Sequence, residues 1–310
     1  MILLVSILFL YSFQISQIFA LGETEKMAYT ISVLLSERKN EQMKIKFLCC
    51  CICVLMVCFC LPAGAEGDTY SWYCVHIKDH AQPSADQKLA FAEELGGYYV
   101  DHRHTDAGAE EKVVYLTFDA GYENGNVAKI LDVLKEEQVT GAFFILGNLI
   151  RHDTALVKRM AEEGHLVCNH TLRHKDMSKM SNADFLAELQ ALERLYEEQT
   201  GEKMSCYYRP PEGKFSRQNL MCAHENGYKT IFWSFAYPDW DNNKQMEPEK
   251  AKKIILENIH NGAVMLLHPT SETNAEILGE VIRSLKEEGY RFGTLDELTG
   301  GNESHGKDFS

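Results

Sequence analysis

The stretch YLTFDAGYENGN, Tyr115 to Asn126, opens as an unbroken apolar run and breaks at Asp119-Ala120-Gly121. A short continuous apolar segment bounded by turn residues reads as a strand buried on both faces, the kind found in parallel sheets. A lone carboxylate where that strand ends is the first candidate for chemistry. It also serves equally well as a turn or helix cap, bonding a backbone N–H.

Outward from this strand the same alternation repeats. Further strands are expected at 141–146, 165–169, 206–209, 229–235, 263–268 and 290–294, beside 113–118. Helical spacing near 3.6 lies between them, near 126–137, 153–163, 182–199, 216–226, 248–259 and 274–288. Ser181-Asn182 with Asp184 marks a helix start. Strand alternating with helix is the pattern of a parallel α/β fold. No glycine-rich phosphate fingerprint follows the first strand, so a distorted (β/α) barrel of about seven strands is preferred to an open dinucleotide sheet.

The chain has 310 residues, 45% of them apolar, and a formal net charge of −14. Those values allow a large core and, with no Lys/Arg cluster on a folded segment, argue against nucleic acid as a partner. Six of the ten cysteines fall between Cys49 and Cys60. That run follows the basic MKIK (Met43–Lys46) and ends at Ala63-Gly64-Ala65, the anatomy of a secretory signal peptide. Residues 43–65 are therefore expected to be a signal cleaved after Ala65. Retention as an N-terminal membrane tether is the alternative. Residues 1–42, a second apolar run without basic residues before it, are expected to be a misassigned extension or an anchor. Such a chain works outside the cytoplasm, secreted or on the outer membrane face. Cys74, Cys168, Cys206 and Cys222 would then permit three pairings or remain free. Residues 66–111 read as a leader packed on the barrel, 112–298 as the catalytic domain, and 299–310 as a disordered tail; a monomer is expected.

Functional residues of such barrels sit at the carboxyl ends of strands. Asp119, His170, Arg209, Asp239 and His268 occupy those positions. His170 and His174, in HTLRH, have a spacing that can present two imidazoles to one metal ion, leaving places for water and substrate. Arg209 can hold the Asp119 carboxylate through paired hydrogen bonds, and Asp239 can favour a charged His268. Each of these residues alone also has an ordinary surface or core reading. Trp240 either walls the pocket or fills the core.

Taken in order, TFDAG, HTLRH, RPPEG, YPDW and LLHPTSE resemble the motifs of the polysaccharide deacetylases, carbohydrate esterase family four. The resemblance spans about 112–298. YLTFDAGYENGN, RPPEGKFS, WSFAYPDW, LLHPTSETNAEIL and the upstream HAQPSADQ look closest to the delta-lactam-biosynthetic de-N-acetylases, which act on muramic acid in spore cortex peptidoglycan. The resemblance implies Asp119 as catalytic base, Arg209 as its partner, His268 as catalytic acid and Asp239 as the partner of that acid. It implies His170 and His174 as ligands of a divalent metal, zinc first, and peptidoglycan glycan strands as substrate in the cell wall or forespore space. Ala120 departs from the family pattern, which has a metal-binding aspartate there, and this puts metal identity and necessity in question. Deacetylation of N-acetylglucosamine in peptidoglycan or chitin-like glycans, and an inactive glycan-binding barrel, are the competing expectations.

Overall fold

The computed structural model describes residues 68–300. The expected extension, signal peptide and most of the expected tail lie outside the described residues. Within 68–300, β1 (Tyr70–Ser71), α1 (Phe91–Glu94) and β2 (Gly97–Tyr98) precede the long central strand β3, Lys112–Ala120. There follow α2 (Asn126–Glu136), β4 (Ala142–Ile145), α3 (Gly147–His152), α4 (Thr154–Glu162), β5 (Leu166–Asn169) and α5 (Asn182–Thr200). The second half contains β6 (Tyr207–Tyr208), β7 (Lys214–Phe215), α6 (Arg217–Glu225), β8 (Lys229–Ile231), β9 (Phe235–Ala236), α7 (Pro248–Asn258), β10 (Ala263–Leu267), α8 (Glu272–Glu287), β11 (Tyr290–Phe292) and α9 (Leu295–Leu298).

Nine of these strands form one parallel sheet in the order β2-β8-β6-β5-β4-β3-β10-β9, with β11 also paired to β3. The count exceeds the expected seven for two reasons. The leader contributes β2, and the single strand expected at 229–235 is broken in two. Its lower half pairs with β6 and β2, while Phe235 and Ala236 pair with Met265 and Leu266 of β10. Between them the Phe232 N–H bonds the Tyr98 carbonyl at 2.7 Å and the Ser234 N–H bonds Val264 O at 3.0 Å. One segment therefore changes neighbours midway, and an antiparallel bridge from Val100 to Ala263 completes the curl into a distorted barrel.

The central strand explains why its sequence is apolar at nearly every position. Val114, Leu116 and Phe118 pack outward against Val127, Ile130, Leu131 and Leu134 of α2. Val113 and Tyr115 face the barrel interior with Phe144, Ile231 and Val264. Both faces are buried, so period-2 polarity is absent until Thr117 and Asp119 turn polar groups inward near the top. Helix starts follow the expected chemistry: Ser181 Oγ accepts from the Asp184 N–H at 3.2 Å, and Gly201, at φ +80°, ends the same helix. Ser216 and Ser271 cap α6 and α8 in the same way.

The leader is built into the barrel. Trp72 stacks on Phe232, ring centroids 4.4 Å apart, and its indole N–H donates to the Trp233 carbonyl at 2.8 Å. The amide nitrogen of Gln82 lies 2.6–2.8 Å from the carbonyls of Asp101, His104 and Asn261. Gly262 must be glycine: its φ is +78°, and a Cβ would stand 2.5 Å from the Asp101 carbonyl. Cys74, Cys168, Cys206 and Cys222 are free thiols. No helix among the described residues is long and apolar enough to cross a membrane. Replacement of Trp72 by Ala should destabilise the protein by about 3–5 kcal/mol, the usual cost of emptying an aromatic site. A denaturant unfolding curve checks this, and an unchanged midpoint would mean that the leader adds nothing to the core.

Candidate active site

Parallel register brings the polar strand ends together. Leu267 pairs with Phe118, so one step further His268 stands beside Asp119 on the neighbouring strand. On the other side Asp119 pairs with Phe144 and Ile145 with Asn169. The His170 N–H then bonds the Ile145 carbonyl, and the Arg209 N–H bonds the Asn169 carbonyl. Five strands thus deliver the expected side chains to one mouth.

Arg209 is fully buried. Its Nη1 donates to Asp119 Oδ1 at 2.8 Å, Nη2 to Thr117 Oγ1 at 2.9 Å and to the Phe232 carbonyl at 3.2 Å, and Nε to the Ile231 carbonyl at 3.0 Å. The guanidinium lies 4.1 Å from the centroid of the Phe144 ring. The expected paired hydrogen bond to Asp119 is a single one. The other nitrogens are committed to the strand backbone and Thr117, so the guanidinium is part of the barrel wall. Burial alone would push the Asp119 carboxyl up, but the positive charges of Arg209 and His268 and the hydrogen bond from Arg209 outweigh it. The group is held below the ordinary carboxylate value.

His170 is buried, and its Nδ1 donates to the Arg209 carbonyl at 2.9 Å. That bond fixes the tautomer and leaves Nε2 as an acceptor, 3.5 Å from Asp119 Oδ2. Desolvation lowers the His170 pKa to about 4, so the ring is neutral near neutrality. Nε2 is thus a bare nitrogen, the form in which an imidazole can ligate a divalent ion. The exposed His174 ring lies 5.1 Å from that of His170. The two histidines are presented by a turn, not by a helical face. Thr171 (φ +76°) and His174 (φ +56°) are left-handed, and Thr171 Oγ1 accepts from the His174 N–H at 3.0 Å. Asn169 holds this turn, accepting from the Thr171 N–H at 2.9 Å while donating to the Leu189 carbonyl at 3.0 Å.

No group of three or more His, Cys, Asp or Glu side chains among the described residues is arranged to hold a metal ion. The donors present fit an open seat on two imidazoles rather than a closed site. Ala120, fully buried in the outer apolar cluster, supplies no further donor.

On the opposite side, His268 Nδ1 donates to Asp239 Oδ1 at 2.7 Å, and the His268 N–H to Asp239 Oδ2 at 2.8 Å. Asp239 is almost fully buried. Burial works against a charged His268, but Asp239 and the more distant Asp119 overcome it and raise its pKa above the ordinary histidine value. The supports behind this pair lie inside the motifs YPDW and LLHPTSETNAEIL, where the sequence assigns them no role. Asn274, in the first turn of α8, donates to Asp239 Oδ2 at 2.7 Å and to the His268 carbonyl at 3.0 Å. Tyr237 in turn donates to Asn274 Oδ1. Both are ordinary helix-start and strand-end residues until the fold places them. Trp240 is 61% exposed with its ring 6.5 Å from that of His268, which makes it a wall of the mouth and not core filling.

A buried guanidinium–carboxylate pair, an imidazole pair and a carboxylate-backed histidine at one end of a parallel barrel define a class of protein, the hydrolases that remove acetyl groups from glycans. Residues 106–231 match the family model described as "Polysaccharide deacetylase". The chain is 36% identical over 258 residues to the peptidoglycan-N-acetylmuramic acid deacetylase PdaA of Bacillus subtilis, covering 82% of this chain and 96% of that protein. The solved structure of that relative, a family 4 carbohydrate esterase, superposes with a TM-score of 0.70 over 75% of this chain and 97% of its own. A family 4 carbohydrate esterase from Bacillus anthracis, 34% identical, superposes with a TM-score of 0.62 over 77% of this chain and 99% of its own. The peptidoglycan-N-acetylglucosamine deacetylase PgdA of Listeria monocytogenes is 33% identical over 64% of this chain, a match that covers 41% of PgdA. The chain belongs to the polysaccharide deacetylase family, an enzyme family that is metal-dependent in general.

With two imidazoles and no third side-chain donor, zinc should bind the metal-stripped protein weakly and exchangeably, and His174→Ala should weaken it further. Calorimetric titration of both proteins with zinc measures the difference. Equal, tight binding in the two would overturn the two-imidazole account.

Proposed function

We propose that the protein hydrolyses the N-acetyl group of muramic acid residues in peptidoglycan, the step that precedes muramic delta-lactam in spore cortex. The observation that carries the chemistry is the adjacency of β3 and β10, which sets Asp119, its anionic form favoured by Arg209, beside His268, its protonated form favoured by Asp239. Support for the substrate comes from similarity along nearly the whole length of a relative named for that activity. The sequence features ahead of the described residues support export to the cell wall.

Asp119 acts as general base and takes a proton from water as the water oxygen attacks the acetyl carbon. When the C–N bond breaks, His268 gives the departing nitrogen a proton from Nε2, because Nδ1 is committed to Asp239. Acetate leaves and a free amine remains. Without that proton the leaving group would be an amide anion, far too basic to depart. Arg209 keeps Asp119 in place, and Asp239 keeps His268 oriented and charged. His170 and His174 are the residues that would hold a divalent ion, zinc first, and when bound it would polarise the acetyl carbonyl. A second reading, deacetylation of N-acetylglucosamine, is favoured by the likeness to PgdA. Mass spectrometry of the deacetylated sugars separates the two.

Asp119→Asn and His268→Ala should each abolish acetate release from purified cell wall while leaving the circular dichroism spectrum unchanged. Full activity in either would remove the role assigned to that residue. The pH profile carries a sign. His268 works protonated, so activity falls as pH rises through its elevated pKa. Asp239→Asn removes the group that elevates it, so the alkaline limb should move to lower pH, with a reduced maximum. A limb that stays in place or moves upward would show that another group sets it.

A further inference from the structure

The loop between β3 and α2 begins at the catalytic strand and carries an aromatic ring that the chemistry above does not use. Tyr122, three residues past Asp119, is 44% exposed. Its loop is pinned: Asn124 and Asn126 donate to the Thr270 carbonyl at 2.8 and 3.1 Å, and Asn148 donates to the Gly121 carbonyl at 3.2 Å. From the loop after β9, the Asn242 side-chain amide donates to the Tyr122 hydroxyl at 2.6 Å. Asn242 lies on the loop that carries Asp239 and the exposed Trp240. Two loops, leaving the carboxyl ends of the two strands that flank β10, thus meet through Tyr122, and each carries a large exposed aromatic ring.

An exposed ring normally keeps rotamer freedom. Here the hydroxyl is tethered and the loop beneath is fixed, so the ordering entropy of binding is reduced before a ligand arrives. A pyranose offers a face of C–H groups to such a ring, and its hydroxyls offer partners to the amide of Asn242. We infer that Tyr122 is a glycan-binding residue that stacks on the sugar adjoining the one whose acetamide is cleaved, on the wall facing Trp240. The assignment rests on the glycan deacetylase reading and adds to it a requirement for a chain of sugars rather than a single residue. Asn242 is the positioning residue of the ring.

The test measures binding and turnover separately. Tryptophan fluorescence titration with a soluble peptidoglycan tetrasaccharide should give a Kd about tenfold higher for Tyr122→Ala, with Tyr122→Phe close to the parent because the ring remains. Asn242→Ala should fall between them. In acetate release from the same tetrasaccharide, Tyr122→Ala should raise KM and leave kcat nearly unchanged. On an N-acetylated monosaccharide it should behave as the parent does. A Kd unaltered by Tyr122→Ala, or equal losses on monosaccharide and tetrasaccharide, would overturn the assignment, as would absence of tetrasaccharide binding by the parent. If the parent binds the tetrasaccharide in a Tyr122-dependent way yet releases no acetate, the stacking role stands and the deacetylase reading fails.

Discussion

The contact between the Arg209 guanidinium and the Asp119 carboxylate is the constraint around which the upper half of the barrel is arranged. A guanidinium with no solvent access tolerates burial only when its charge is compensated and its N–H groups find acceptors. One acceptor is the Asp119 carboxylate; the others are two carbonyls of the β8 region and Thr117. Those partners lie on strands that are far apart in sequence. The pair is therefore weak evidence of stability in itself, but it fixes the relative height of the strands that end at the mouth. It also decides the proton chemistry, because a carboxylate beside a permanent cation stays ionised in a buried place.

The second polar assembly answers the first with opposite logic. At Asp239 a buried carboxylate accepts from the backbone and ring of His268 and from Asn274. Its charge is spent on one imidazole. Two carboxylates, at the ends of the strands on either side of β10, thus differ in role because of what faces them: a permanent cation keeps one available to water, and a titratable ring consumes the other. On the other flank of Asp119 the histidine turn takes its shape from backbone strain at Thr171 and His174, stabilised by Asn169 and by the anchoring of Arg173 on the buried Glu188.

Much of this was legible in the residues, and the remainder was not for physical reasons. The helices at 126–136, 182–200 and 248–258 lie within a residue or two of expectation, because amphipathic spacing and Ser181 speak locally. The five polar strand ends were legible because a parallel barrel sends all of them to one rim. The strand at 229–235 was read as continuous; its local pattern is apolar throughout, and only the exchange of neighbours from Tyr98 to Val264 breaks it. The short helix Gly147–His152 has neither a capping side chain nor enough turns to set a period. Asn274 and Tyr237 escaped because their importance lies entirely in partners supplied from other elements. Arg209 was placed correctly but given two bonds to Asp119; how a fork is shared among acceptors is a matter of packing.

The pinning of the leader has a consequence for how this chain acquires its shape. Gln82 reaches Asn261 and His80 reaches the Ile259 carbonyl, each across 179 positions of chain, and Val100 bridges to Ala263. The opening residues of the domain therefore cannot find their partners until nearly all of it has left the ribosome. Such distant pairings slow folding and keep strand edges bare in the interval. A polypeptide that stays unclosed until its last quarter is available remains open for most of its synthesis, and its barrel seals in one late step.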